Sequence, residues 1–499
     1  MSVFSHPIVV RAVLCSVKRL YYISDAAGDR ALHGLINLAR AYPKPDELLQ
    51  NQVERFTSAT YEQHPAVGTI RRMFRELHPN YVQGLVLNLF RSEAWDGFER
   101  RRDFAAQHGF DAPVLAVFSP LDGCNLKCYG CYSGAYEKDG RGRERVDYAT
   151  LDRALAELRS FGTNLIVWTG GEPMMIWDDL YRLMSKYDDL VYLMYTNGTL
   201  ITEQVADQMR ELGNIAPAIS LEGNRELTTE RRGCWRGKPV WDRVMDAMHM
   251  LHGKGVFAGY SVTYTSRNTE YVASDEFIES MMDAGCFFGY HFMYVPVGAS
   301  PDFSLVPSPE QRDMMRAAVW RWLTEKGFLS FDFWNCGPLT ARTTDTSGCI
   351  AADRYLHFNH RGEPEPCVFC KYTMPGMNLK THTVLEVLKS PLFAAMREYK
   401  KREPSMALLP CCFMDRDVLK HAVEASGAVP TEEGQRVLDD DFREDLLLPW
   451  RGAYSQLAHE AWNSGAYDCL RGVIGTGLVP EEQLQEGNGQ PEHHKLKVA

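Results

Sequence analysis

Cys124, Cys128 and Cys131, in the run Cys-Asn-Leu-Lys-Cys-Tyr-Gly-Cys, are the residues whose type and spacing could most directly do chemistry. Cys thiolates hold iron–sulfur clusters, and a [4Fe–4S] cube offers about four irons. Three thiolates leave one iron without a protein ligand, and an open metal position marks a catalytic rather than a structural site. The spacing also differs from the paired C-x2-C of a zinc ribbon; a closed zinc site completed by a distant ligand is the alternative. Residues 114–119, Val-Leu-Ala-Val-Phe-Ser, read as a buried strand. The triad therefore falls on a loop at a strand's C-terminal end, where α/β enzymes keep their active sites.

Three further strand ends carry polar residues. Residues 165–169 form an apolar strand that runs into Gly170, Gly171, Glu172 and Pro173. Glycines let a main chain approach a ligand closely, and a carboxylate suits an ammonium; taken alone, the run is merely a turn. Residues 191–195 end in Thr196-Asn197-Gly198-Thr199, and residues 216–221 end in Ser220-Leu221-Glu222-Gly223, with Arg232 further on. A turn serine and a solvated arginine are the bland readings of Ser220 and Arg232.

The C-terminal third carries a second metal signature. Cys349 is followed by Gly362 and by a C-x2-C at Cys367 and Cys370, and later, after a helix-like stretch at 383–400, by Cys411 and Cys412. Residues 355–359 read as one arm of a hairpin turning around His360–Glu363 in sequence. Thiolates suit iron–sulfur and zinc alike, so a zinc knuckle built from the same residues is the competing reading.

These motifs resemble the radical S-adenosylmethionine (radical SAM) enzymes, with a C-terminal extension similar to the SPASM or twitch type. The resemblance implies that Cys124, Cys128 and Cys131 hold a [4Fe–4S] cluster whose open iron is chelated by SAM, and that an electron cleaves SAM to methionine and a 5′-deoxyadenosyl radical. It implies that Gly170, Gly171, Glu172 and Pro173 receive the SAM ammonium, and that Thr196 and Asn197 line the site. Ser220, Glu222 and Arg232 correspond to groups that contact the SAM ribose and carboxylate. The family usually has an aromatic before the third cysteine, where this chain has Gly130 between Tyr129 and Cys131; the related branch more often has Asp at Glu222. The full SPASM cysteine run is absent. The resemblance therefore implies one auxiliary [4Fe–4S] cluster on Cys349, Cys367, Cys370 and one of Cys411 or Cys412, with Cys336 a further candidate.

The elements needed to position these loops are legible as alternation. Helix-like stretches at 148–161, 177–187, 202–213, 240–252 and 270–285 separate the strands, and two more strands follow at 257–264 and 289–297. Six strands with intervening helices predict an α/β unit with a parallel sheet. Right-handed crossovers curl it into a partial (β/α)6 TIM-like barrel. The expected organisation is a helical region over 1–110 and the radical SAM core over 111–305. A small α+β cluster-binding domain over 306–430 and a helical segment with a tail over 431–499 follow. Alternation lets only one of Tyr290 and His291 face the lumen; His291 is either an acid/base group or a core histidine.

Composition narrows the class. The 499 residues carry a formal charge of −11, which argues against a nucleic-acid partner, since phosphate neutralisation needs clustered Lys and Arg. Thirteen cysteines in metal-like groups fit ligands in a reducing compartment, hence a cytoplasmic location, better than a disulfide framework. The apolar stretch 8–17 is too short to span a bilayer. Expected partners are an electron donor such as flavodoxin or ferredoxin and a small-molecule, lipid or peptide substrate. Residues 8–22 and 69–90 are apolar and basic, which suits either a membrane surface or lipid substrate or a helical cap on the barrel; for 8–22 packing on the barrel is preferred, with Arg11, Lys18 and Arg19 left in water. A SAM- and cluster-binding electron carrier is the non-enzyme alternative, but it has no use for a SAM cradle.

Overall fold

The computed structural model describes residues 66–81, 96–133, 144–298, 301–335, 349–402, 409–432 and 442–465, with isolated residues between 18 and 88 and at 438–439. Most of the expected N-terminal helical region lies outside the described residues, as do Cys15, Cys336 and Cys469.

Apolar runs rich in Val, Ile, Leu and aromatics form the strands that build one sheet. They are β1 (Leu115–Phe118), β2 (Leu165–Trp168), β3 (Val191–Thr196) and β4 (Ile215–Leu221). After a separate small hairpin of β5 (Cys234–Trp235) and β6 (Lys238–Pro239) come β7 (Gly259–Tyr264) and β8 (Phe288–Met293). The sheet also takes in β9 (Leu329–Asp332), β10 (Tyr355–Phe358) and β11 (Pro364–Glu365). A last pair, β12 (Tyr372–Thr373) and β13 (Val429–Pro430), stands apart.

The order across the sheet is β11-β10-β1-β2-β3-β4-β7-β8-β9, nine strands, parallel except for the β10–β11 hairpin. The six expected strands are its centre, in chain order, as a partial barrel requires. The expectation of a six-stranded sheet is corrected at both edges. β9 adds beside β8, and β10 pairs in parallel with β1, residue 115 opposite 355 and 118 opposite 358. The C-terminal cysteine region is thus hydrogen-bonded into the sheet.

The helices follow from their periodic apolar stripes. Tyr148–Phe161 starts at Asp147, whose carboxylate accepts from the Thr150 amide, and stops at Gly162 in the left-handed region. Its stripe of Leu151, Leu155 and Leu158 is fully buried, so Leu155→Ala should cost about 2–5 kcal/mol. Two expected helices are broken. The 270–285 stretch divides into Thr269–Val272 and Asp275–Asp283 because Ser274 leaves the helix to cap the Phe277 amide. The 383–400 stretch divides into Val384–Leu388 and Pro391–Arg402 at Pro391.

Register separates the two faces. Ser220, Ser261, Tyr290 and Phe331 are laterally paired on one face, the lumen side. Val262 and His291 share the other face, where the His291 ring packs against Phe277 and Trp322. Tyr290 therefore faces the lumen. His291 is a core histidine bonded to the Tyr260 hydroxyl at 3.1 Å, and the acid/base reading is corrected.

Lys18 is also corrected. It is buried, and its ammonium donates to the carbonyls of Phe74 and Leu77 at the end of helix Ala66–Glu76. No described helix is long and apolar enough to cross a membrane.

Candidate metal and cofactor site

The loop after β1 is held against the loop after β2 by main-chain bonds. The Gly171 amide donates to Leu121 O at 3.1 Å and the Glu172 amide to Gly123 O at 2.8 Å. The approach is close enough to exclude any side chain: a Cβ on Gly171 would stand 1.9 Å from Gly123 O. Gly170 has φ +114° and faces Ser119.

Glu172 is buried and its carboxylate is engaged by the protein itself. It accepts from the Met174 amide at 3.0 Å, the Thr196 hydroxyl at 2.6 Å and the Asn197 amide at 2.8 Å. Burial outweighs these bonds and raises its pKa. A carboxylate has about four acceptor positions, so one is left for a ligand ammonium. The group's main work is to join the ends of β2 and β3. Asn197 then reaches the cysteine loop. Its amide donates to Asn125 Oδ1 at 2.8 Å and stands 3.8 Å from Cys124 Sγ. Asn125 in turn bonds Thr199 at 2.7 Å.

On the opposite side, Glu222 at the end of β4 forms a two-arginine carboxylate site. Arg231 meets it at 2.6 Å and Arg232 at 2.6 Å through its second oxygen. Arg231 also donates to the carbonyls of Tyr129 (3.2 Å) and Gly130 (3.3 Å), bracing the cysteine loop from below. Arg232 lies within electrostatic reach of Cys128, Cys131 and Glu172. Ser220 bonds Ser261 across the lumen face at 3.0 Å.

Burial pushes the Cys124 thiol up to about 12, with Glu172 and the other two cysteines adding to it. Burial likewise pushes Cys128 up to about 11 against the pull of Arg232. Crowded thiols that resist ionisation alone are the donor set a cationic cluster stabilises. The residues fit a [4Fe–4S] group with one open position, with Arg232 and the free acceptor of Glu172 for a zwitterionic amino acid.

The C-terminal cysteines also converge. Cys349 is hydrogen-bonded by Cys412, which together with the Lys400 charge pushes it down to about 5. Cys370 is pushed up by its bond with Cys367, by burial and by Cys411 and Cys412. Cys367 and Cys370 sit in a tight turn, amide 370 to carbonyl 367 at 2.9 Å. Both Cys411 and Cys412 are at hand, so five thiols meet where four ligands suffice. Arg416 donates to Cys412 Sγ at 3.7 Å, and the Cys411 amide donates to Asp415 at 2.9 Å. No described cysteine is in a disulfide, and exposed Cys234 and buried Cys286 lie apart from both groups.

Sequence reasoning missed Asn125, Arg231 and the buried pair Arg312–Asp415 at 2.6 Å. The doubled arginine beside Arg232 was the only signal for Arg231. It also missed the contact of Glu144 with His360 Nε2, 3.3 Å, which ties the segment after the cysteine loop to the β10–β11 turn.

Residues 118–288 match the family model described as the Radical SAM superfamily. This chain carries a radical SAM domain, and its relatives include SPASM-type radical SAM enzymes. An Fe-coproporphyrin III synthase of Methanosarcina barkeri is 30% identical over 229 residues, 44% of this chain and 55% of that protein. A serine-type anaerobic sulfatase-maturating enzyme of Klebsiella aerogenes is 32% identical over 162 residues, 30% of this chain and 39% of that protein. The chain thus spans about half, or less, of the length of these relatives. Among solved structures, Streptococcus suis SuiB bound to S-adenosylmethionine has the same fold at 17% identity, with a TM-score of 0.52 over 73% of this chain and 85% of that chain.

Proposed function

We propose that this chain is a radical SAM enzyme that binds SAM at a [4Fe–4S] cluster held by Cys124, Cys128 and Cys131. The observation that carries the reading is the meeting of four strand-end loops on one point. The cysteine loop is clamped by Gly171 and Glu172 on one flank and by Arg231 on the other, with Arg232 facing Cys128. When bound, the cluster and SAM would supply a 5′-deoxyadenosyl radical that takes hydrogen from an unreactive C–H bond.

The chain's own residues orient and exclude. Gly170 and Gly171 offer main chain without side chains, Glu172 receives the SAM ammonium on its remaining acceptor position, and Arg232 receives the carboxylate. Thr196, Asn197 and Ser220 line the floor, and the buried walls keep water from the reacting carbon. Pro173 opens the 3₁₀ turn Pro173–Ile176 that fixes the Glu172 carboxylate.

An auxiliary [4Fe–4S] cluster on Cys349, Cys367, Cys370 and one of Cys411 or Cys412 completes the proposal, with a flavodoxin or ferredoxin as electron donor. The relatives' names support two substrate classes, a tetrapyrrole and a protein side chain. The reading is tested by reducing anaerobically reconstituted protein with SAM. 5′-Deoxyadenosine and methionine are expected in the parent and absent from Cys128→Ala. S-adenosylhomocysteine without deoxyadenosine would instead indicate methyl transfer.

A further inference from the structure

Tyr195, Tyr290, Phe292, Phe331 and Phe333 form one aromatic cluster above the lumen face. At this level β4 and β7 present only Ala218, Ser220, Gly259 and Ser261. With nothing bulky between, Tyr195 reaches from β3 to Tyr290 and Phe292 on β8, ring centroids 5.6 and 5.3 Å apart. Beyond them the rings are layered. Tyr290 lies at 25° to Phe331, 22° to Phe292 and 8° to Phe333, and Phe292 at 29° to Phe333.

The outermost ring is open. Phe333 is 47% exposed, and the other four rings are only partly covered. Phe333 stands at the C-terminal end of β9, the same end of the sheet as the cysteine loop. A relay of rings links the cluster to both cysteine segments. Trp334 touches Phe292 at 6.3 Å and Phe369 at 5.3 Å, and Phe369, set between Cys367 and Cys370, touches Tyr132 at 5.7 Å.

We propose that this cluster is the substrate platform and that its occupant is a flat, conjugated ring system. The proposal rests on the radical SAM reading of the same site and narrows its substrate. Rings stacked in near-parallel layers continue most favourably with another flat π face, offset over Phe333. The five platform side chains carry no formal charge, so they recognise an occupant through ring faces; an extended peptide would instead pair with the main chain of β9 at the sheet edge, which the test below separates from stacking.

The test titrates full-length, cluster-loaded protein with metal-free protoporphyrin IX, without reductant, following the Soret band. Saturable one-to-one binding is expected, weakened about tenfold in Phe333→Ala and kept in Phe333→Trp. Phe333→Leu preserves bulk without a π face and should bind as poorly as the Ala variant. Parent-like binding by the Leu or Ala variant would overturn the platform. So would failure of the porphyrin to bind while a Trp-containing peptide binds through Phe333. Because no SAM turnover is involved, loss of deoxyadenosine formation would defeat the radical reading alone and leave this binding result standing.

Discussion

The Ser119 hydroxyl at the end of β1 lies 2.7 Å from His357 Nε2 on β10, and His357 Nδ1 lies 2.7 Å from Glu365 on β11. All three side chains are buried. The chain of bonds has the order of a hydrolytic triad, but no substrate can reach it. It is a latch between the strand that delivers the first cysteines and the hairpin that precedes Cys367. His357→Ala should lower unfolding free energy by about 1–3 kcal/mol, since it takes a buried hydrogen-bond partner from Ser119 and from Glu365, whose carboxylate keeps Asn359, Thr431 and Lys371. Urea titration of the purified parent and variant measures this; equal midpoints would refute the latch.

Iron content separates the two cysteine groups. Reconstituted protein should bind about eight irons, from about four per cubane. Changing Cys124, Cys128 and Cys131 together to Ala should leave about half. Single Cys411→Ala and Cys412→Ala variants then show which thiol ligates: one should lose the second cluster's absorbance and the other keep it. Zinc with only one cubane in the parent would identify the C-terminal group as a zinc site.

Arg231 and Arg232 should part company under mutation. Arg231→Ala removes the brace on the Tyr129 and Gly130 carbonyls, so cluster loading should fall and stability drop by about 3 kcal/mol. Arg232→Ala should leave iron content near that of the parent and weaken SAM binding by at least about tenfold, the worth of one charge-assisted contact. Equilibrium dialysis with labelled SAM, paired with iron analysis, distinguishes the two.

Glu172→Ala should act through folding as well as binding. Three donors from Met174, Thr196 and Asn197 lose a buried carboxylate, a cost of about 2–4 kcal/mol. A lowered melting temperature even without SAM is the expected signature. An unchanged melting temperature with lost SAM affinity would assign the residue to the ligand alone.

His291 should give the fold an acid-sensitive component. Burial pushes its pKa down to about 3, below its unfolded value. Its contribution is therefore complete above the unfolded pKa and is lost as pH falls. Between pH 7.5 and 5.5 the parent should lose about 1.4 kcal/mol through this group, and His291→Phe should remove that slope. Urea titrations at the two pH values are the check.

Much of this was legible because strand and helix periods differ and because cysteine spacing is chemical information. The six central strands followed from apolar runs, and the helix Tyr148–Phe161 from Leu151, Leu155 and Leu158 at helical spacing. What could not be read was pairing between distant segments. Tyr355–Phe358 reads as one arm of a hairpin, and nothing local says that its other edge belongs to β1. The two broken helices failed at Ser274 and Pro391, where a cap and a missing amide overrode periodicity. At the site, Glu172 was read as a ligand group, but its three internal bonds depend on where Thr196 and Asn197 end up. Arg231 stayed hidden because its partners are carbonyls, which leave no trace in side-chain spacing.

The parallel pairing of β10 with β1 also sets an order of events during synthesis. β1 ends at residue 118 and gains one neighbour from β2, but its other edge must wait until residue 355 has been made. At about 5–20 residues per second, the intervening roughly 240 residues take about 12–48 s. For that interval the strand preceding the first cysteines has an unpaired edge, open to pairing with another chain. A core cut before residue 355 would keep that edge permanently, and self-association rather than a small working domain is the outcome to expect from such a truncation.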